Sequence, residues 1–232
     1  MFTISNRLKV LADYVPCGSI VADIGTDHGY LPVYLILKGI SPRAIAADIR
    51  RGPLEAARSN VMQYQAAGKI DLRLGNGLQV LAPGEADTIV IAGMGGGTIR
   101  DILQTSPEVA AKARRLILQP MADEKDLRLF LLEHGWTIVD ETLLLEDGRL
   151  YLALVAERGQ EDIKDPLILE IGPRLLEKKH PLLGEHIHRL KEKYCRVLDG
   201  LHKSSQQAAL EKAGRVQEKI SQLDKLEQSL EK

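Results

Sequence analysis

Val21-Ala22-Asp23-Ile24-Gly25-Thr26-Asp27-His28-Gly29-Tyr30-Leu31 is the stretch on which the fold of this chain turns. A short apolar run, Ile20 to Ile24 with one acid inside it, stops at a glycine, and an amphipathic helical pattern follows. Strand, tight turn and helix start form the arrangement that brings backbone N–H groups up to a small ligand. The next apolar run also ends in an acid. Asp48 follows Asp23 by 25 residues, where a carboxylate can hydrogen-bond a ribose. The turn is not Gly-x-Gly-x-x-Gly, because its glycines are Gly25 and Gly29, with Asp27 and His28 between them. Fewer glycines and more carboxylate suit a cofactor without a pyrophosphate, so the residues favour a nucleoside such as S-adenosylmethionine over NAD.

Outward from this stretch, strand and helix alternate. Ser5 is placed to cap a helix carrying Leu8, Leu11 and Val15, ended by Pro16-Cys17-Gly18. The first strand is Ile20–Ile24, and a helix runs from about Gly29 to Lys38. Ala44–Asp48 is the second strand, and Gly52-Pro53 opens a helix through about Ala67. Ile70–Leu74 ends at Gly75-Asn76-Gly77, and Asp87–Ala92 ends at Gly93-Met94-Gly95-Gly96-Gly97, with a helix following to about Leu103. Leu116–Gln119 is stopped by Pro120, and Asp123 is placed to cap a helix to about His134.

Five such alternations predict a parallel sheet covered by helices on both faces. Trp136–Leu145 and Leu150–Glu157 are joined only by Glu146-Asp147-Gly148-Arg149, which predicts an antiparallel hairpin. The expected fold is α/β: a Rossmann-like seven-stranded sheet, mostly parallel, with an antiparallel terminal hairpin. Nicotinamide-binding domains usually finish with a sixth parallel strand, a second reason to prefer a methyl donor.

Residues 158–169 are polar and broken by Pro166, and read as a linker. Beyond them Leu183, Ile187, Leu190, Tyr194, Val197 and Leu201 repeat at spacings of 4, 3, 4, 3 and 4. That is a heptad stripe. Lys203-Ser204-Ser205 is placed to break it, and Val216, Ile220, Leu223, Leu226 and Leu230 form a second stripe. The two predict an antiparallel two-helix coiled-coil extension. The domains are expected at 1–160 and 161–232.

The bulk numbers narrow the class. An apolar content of 44% with 4% aromatics predicts an aliphatic core, and the net charge of −1 carries no global nucleic-acid signature. Residues 170–232 nevertheless carry a balance of +3 against −4 for the remainder. Cys17 and Cys195 are far apart and have no metal-type spacing, so free thiols and no metal are expected. The N-terminus lacks the apolar core of a signal peptide, and no run reaches the roughly 18 apolar residues that span a bilayer. A soluble cytoplasmic protein without membrane association is the expectation.

The site is assembled from strand ends. Gly25 lets the first turn pass close to the ligand, and Asp23 is placed to brace that turn by accepting backbone N–H bonds. Asp48 is placed to accept both ribose hydroxyls, with Ile49 beside it. Asn76, next to Gly77, offers its side-chain oxygen to an exocyclic adenine amine. Gly93 and Met94 face the point where donor meets substrate.

These segments together resemble the bacterial tRNA (adenine-22, N(1))-methyltransferase family. The resemblance rests on SNRLKVLADYVP, VADIGTDHGYLP, AADI-RRGPLEAAR, GNGL, EADTIVIAGMGGGTI, LILQP and EDGRLY, over roughly residues 5–157. The tail is similar only as a two-helix extension. The resemblance implies a class I methyltransferase fold, S-adenosylmethionine as cofactor and tRNA as partner, with ring nitrogen 1 of an adenine in the D-arm region as acceptor. The third-strand motif of such enzymes is often Gly-Asp-Gly. Here Asn76 keeps an acceptor and loses the charge. Ala92-Gly93-Met94-Gly95 stands where amine-directed enzymes carry Asp/Asn-Pro-Pro-Tyr, which fits a ring nitrogen that already has an in-plane lone pair.

Asp27 is then the candidate for stabilising the cationic product or taking its proton, and it is also placed to bind the methionine part of the cofactor together with His28. His28 and Tyr30 are candidates for contacting the target base. Arg7, Lys9, Arg50, Arg51, Lys178, Lys179, Arg189, Lys191, Lys193 and Arg196 are candidates for phosphate contacts. The alternatives are an NAD-dependent oxidoreductase, or a non-enzymatic coiled-coil binding module on a degenerate cofactor fold. Heptad stripes serve an internal hairpin or a dimer equally well, so a monomer or weak dimer is expected.

Overall fold

The computed structural model describes residues 2–203 and 207–230. Its first unit, residues 1–164, runs α1 (Asn6–Asp13), β1 (Val21–Ile24), α2 (Tyr30–Leu37), β2 (Ala44–Asp48), α3 (Arg51–Gln63), β3 (Ile70–Leu74) and a 3-10 turn (Gly77–Val80). It continues with β4 (Thr88–Met94), α4 (Gly96–Thr105), α5 (Pro107–Lys112), β5 (Arg115–Pro120), α6 (Glu124–Glu133), β6 (Trp136–Glu146) and β7 (Arg149–Arg158). The strands form one sheet in the order β3-β2-β1-β4-β5-β7-β6, with the first five parallel and β7 antiparallel to both β5 and β6.

The four residues of β1 and the five of β2 are all buried, as strands covered on both faces must be. Alternate residues feed opposite faces. Ala22, Ile24, Ile89, Ile91, Leu116 and Leu118 pack with Ile99, Leu103, Leu127 and Leu131 of α4 and α6. Val21, Val90 and Ile117 pack with Leu11, Leu31 and Leu35 of α1 and α2. The chain reverses direction across the sheet between β1 and β4. That reversal opens a crevice at their C-terminal ends.

Several local expectations are corrected. The α2 segment is not amphipathic: Leu31, Pro32, Val33, Leu35 and Ile36 are all buried, because α2 contributes to two separate core clusters. Pro107 opens an extra helix, α5. Pro120 does not stop β5 but pairs with Met94 as its last residue. Asp123 precedes α6 in a left-handed conformation (φ 58°) and makes no side-chain cap. Arg128 of α6 and Glu141 of β6 form a fully buried ion pair at 2.7 Å, which the apolar pattern did not announce.

The second unit, residues 165–232, contains α7 (Pro166–Ile171), α8 (Pro173–Glu177), α9 (Leu183–Leu201) and α10 (Gln207–Leu230). Pro166 does not break a linker. It opens α7, where its missing N–H costs nothing, and the Asp165 carboxylate caps that helix through Leu167 N–H at 2.8 Å. Helices α9 and α10 pair antiparallel: Lys191 of α9 meets Asp224 (2.5 Å) and Glu227, and the Tyr194 hydroxyl lies 3.0 Å from Lys219 Nζ. The α9 stripe shifts near its end. Val197 is exposed, and Leu198 takes the half-buried place. Of the break expected at Lys203-Ser204-Ser205, the two serines lie outside the described residues. No helix among the described residues is long and apolar enough to cross a membrane.

Candidate active site

The crevice beyond β1 and β4 widens into a cavity of about 760 Å³. Every candidate site residue lines it: Asp23, Gly25, Asp27, His28, Tyr30, Asp48, Ile49, Asn76, Gly77, Gly93 and Met94. Each arrives there for a local reason. After Ile24 the chain turns on Gly25 (φ 77°), and the N–H groups of Gly25 and Thr26 donate to Ala47 O at 2.8 and 2.9 Å, folding the loop onto the end of β2. A Cβ on Gly25 would lie 2.2 Å from Met94 Cε, so glycine makes room for the Met94 side chain against the loop. Gly93 (φ 74°) sits at an irregularity of register between Ala92 and Met94, after which Met94 pairs again with Pro120.

Asp23 was expected to accept backbone N–H bonds. It accepts the Thr26 hydroxyl instead, at 2.7 Å. Burial pushes its carboxyl up to about 6; the Thr26 hydrogen bond works against that shift, and the nearby Asp48 adds to it. Asp48 is 5% exposed and accepts the Arg50 N–H through Oδ1 at 2.8 Å. Its Oδ2 meets only a long contact from the Asp27 N–H, 3.4 Å, which leaves acceptor capacity facing the cavity. Ile49 and Asn76 are exposed at the neighbouring strand ends.

Asp27 holds a left-handed backbone (φ 51°), which Asp tolerates better than most residues. Its carboxylate is largely exposed, 3.6 Å from His28 Nε2. The His28 ring stacks on Tyr30, with centroids 5.4 Å apart, and Tyr30 tilts toward Phe2 at 6.2 Å. Asn60 Nδ2 donates to His28 O at 2.8 Å and anchors the loop to α3.

The N-terminal segment is the part of the cavity wall that motif reading did not place. Thr3 to Ser5, Arg7 and Leu8 line it, together with Thr98 and Ile102 from α4. Arg7, read as a phosphate contact, instead donates from Nη1 to Gln119 Oε1 at 2.8 Å. Ser5 does cap α1, accepting Leu8 N–H at 3.3 Å. The capped start of α1 was the one signal that could have located this wall. Among the other basic candidates, Lys191 and Arg189 are engaged within the helical unit by Asp224, Glu227 and Glu185, whereas Lys9, Arg51 and Lys193 are exposed.

Comparison with known proteins places the chain in a family. A family model described as "Methyltransferase domain" matches residues 4–154. A Bacillus subtilis (strain 168) protein named tRNA (adenine(22)-N(1))-methyltransferase is 40% identical over 182 residues, 76% of each chain. This chain belongs to the tRNA (adenine(22)-N(1))-methyltransferase family. The crystal structure of the B. subtilis m1A22 tRNA methyltransferase TrmK superposes with a TM-score of 0.89 at 32% identity, over 97% of this chain and 99% of that one. Mycoplasma capricolum TrmK, solved with S-adenosyl-homocysteine, gives a TM-score of 0.81 at 26% identity, over 98% and 99%. Family membership thus extends over the helical pair as well as the sheet.

Proposed function

We propose that this chain transfers a methyl group from S-adenosylmethionine to ring nitrogen 1 of adenine 22 in tRNA. The observation that carries the reading is the cavity itself. At one switch point it combines a buried carboxylate with acceptor capacity to spare (Asp48), the tight glycine turn at Gly25, and the register irregularity at Gly93 where β4 ends. These residues fit the group. Asp48 would hold the ribose hydroxyls, Asn76 and Ile49 the adenine, and the Gly25–His28 loop the methionine part. When bound, the cofactor supplies an electrophilic methyl on a sulfonium.

The remaining work falls to the chain. The acceptor nitrogen of a neutral adenine is a weak nucleophile, so placement carries much of the catalysis, up to roughly 7–11 kcal/mol for well-oriented partners. The His28–Tyr30 stack at the cavity wall offers a ring surface for a base turned out of its stack. Asp27 carries an exposed carboxylate at the same wall, suited to compensating the positive charge that the alkylated base acquires. Exposed Lys9 and Arg51, with Lys193 on α9, would meet phosphates, and the helical pair would act as a tRNA grip. Helices α9 and α10 pair with each other within one chain, which supports a monomer.

The test is nucleoside mass spectrometry on tRNA transcripts incubated with the protein and labelled donor. 1-Methyladenosine forms on a transcript with adenine at position 22 and not on one with guanine there. Equal labelling of both transcripts, or of neither, overturns the reading.

A further inference from the structure

Four rings stand in a row from the inside of the cavity to the surface beside it. His28 and Tyr30 line the cavity, their rings stacked at 5.4 Å. Tyr30 tilts toward Phe2 at 6.2 Å, and Phe2 lies 4.5 Å from Tyr64 at the end of α3. Phe2 and Tyr64 stand outside the cavity lining, so the row passes out over its rim. Thr3, Ile4 and Ser5 run along the cavity wall and deliver Phe2 to that rim, while the Asn60 bond to His28 O draws α3, and with it Tyr64, against the cofactor loop. In a chain with only nine Phe, Tyr and Trp residues, three meet at this one place. They are not sealed in the core: His28 is exposed, Tyr30 is 40% exposed, and Phe2 and Tyr64 are half-buried. The inner sides of Phe2 and Tyr64 pack on the apolar cluster that holds Val33 and Val61, which fixes both rings before any ligand arrives.

The physics of base extrusion says what such a row receives. Turning one base out of a strand also strips its neighbour of a stacking partner, and that stacking has to be replaced. Every base has a π-face, so an aromatic side chain takes an unstacked base without regard to its identity. The His28–Tyr30 end of the row faces the target base inside the cavity. Phe2 and Tyr64 lie further out along the same row, where the strand leaving that base crosses the rim. Neither side chain carries a charge, so the outer end suits a base and not a phosphate. We infer that Phe2 and Tyr64 receive the base of the nucleotide adjoining the target, so that the protein engages two unstacked bases of the RNA and not one. This inference rests on the reading of the acceptor as a base in tRNA.

Methylation kinetics on the full chain test it with two variants: Phe2→Leu, which keeps an apolar side chain against Tyr64 and removes the ring, and Phe2→Trp, which keeps a ring. Phe2→Leu is expected to raise KM for the tRNA transcript by about 5- to 100-fold, the range of one lost base stack, with kcat changed by less than about twofold. Its affinity for S-adenosylhomocysteine by calorimetry stays that of the wild type. Phe2→Trp keeps KM near the wild-type value. A fluorescent base, 2-aminopurine, is dim when stacked and bright when not, and reads the contact directly. Placed in turn on either side of the target, it stays dim at one of the two positions in the wild-type complex and brightens there with Phe2→Leu. Unchanged KM and fluorescence in Phe2→Leu overturn the inference. So does a loss of S-adenosylhomocysteine affinity that matches the rise in KM, which would make Phe2 an anchor of the cavity wall, and so does a Phe2→Trp protein as impaired as Phe2→Leu. A wild type that binds S-adenosylhomocysteine but neither binds nor methylates the transcript refutes the tRNA reading itself and the inference with it, a result distinct from any of these.

Discussion

Asp23→Asn isolates the cost of a buried charge at the base of the cofactor loop. Asp23 is 5% exposed, and its carboxyl titrates at about 6 in the folded chain against 3.8 without the fold. The folded state therefore binds the proton more readily than the unfolded state. The neutral form is fully favoured below about pH 4, and stability falls as the pH rises through about 6. Above that, two pKa units at 1.36 kcal/mol each amount to a penalty of about 3 kcal/mol. Asparagine keeps an oxygen for the Thr26 hydroxyl and carries no charge, but it adds a buried amide N–H₂ whose cost, about 1–3 kcal/mol, is independent of pH. The diagnostic is thus the difference between variant and wild type as a function of pH. Urea unfolding followed by circular dichroism from pH 4 to 8 should show the asparagine protein gaining up to about 3 kcal/mol relative to the wild type across that range, with unchanged m. Two stability curves that run parallel within 0.5 kcal/mol, about the error of such extrapolations, would refute the assignment of a perturbed carboxyl to Asp23.

Gly25→Ala places a side chain at φ 77° and a methyl 2.2 Å from Met94 Cε. A loss of about 1–2 kcal/mol in thermal stability is expected from the backbone, with a further loss of S-adenosylhomocysteine affinity as the methionine end is driven into the cavity. Asp48→Asn should weaken S-adenosylhomocysteine at least tenfold by calorimetry, since the ribose hydroxyls lose their charged acceptor. Glu141→Ala removes the carboxylate from a fully buried guanidinium and should cost about 3–5 kcal/mol in denaturant unfolding, the largest single-site effect among these. A chain ending at Lys164 should melt cooperatively and retain S-adenosylhomocysteine binding while losing tRNA affinity in a filter assay; unchanged tRNA affinity would remove the helical pair from the interface.

The sequence alone determined the order of the seven strands, the parallel sheet with its terminal hairpin, and the positions where strands end in glycine or a carboxylate. Each of those is a local signal: an apolar run of strand length, a turn residue of the right kind, an acid at the last position. The same signals put all eleven candidate residues at the ends of consecutive strands, and a parallel sheet brings such ends to one edge, where the cavity is lined by every one of them. Tertiary structure alone decided what pairs across the chain. Glu146 looked like part of a hairpin turn and serves to hold the start of α1, 139 residues earlier. Arg7 looked like a surface cation and joins the cavity wall through Gln119, 112 residues away. Arg128 and Glu141 sit in apolar patterns as interruptions, and only their mutual burial accounts for them. The α2 segment read as amphipathic because two-sided burial leaves no trace in the spacing of one helix. Periodicity reports how an element faces its immediate surroundings, whereas the partner of a long polar side chain depends on which distant strand the sheet brings beside it.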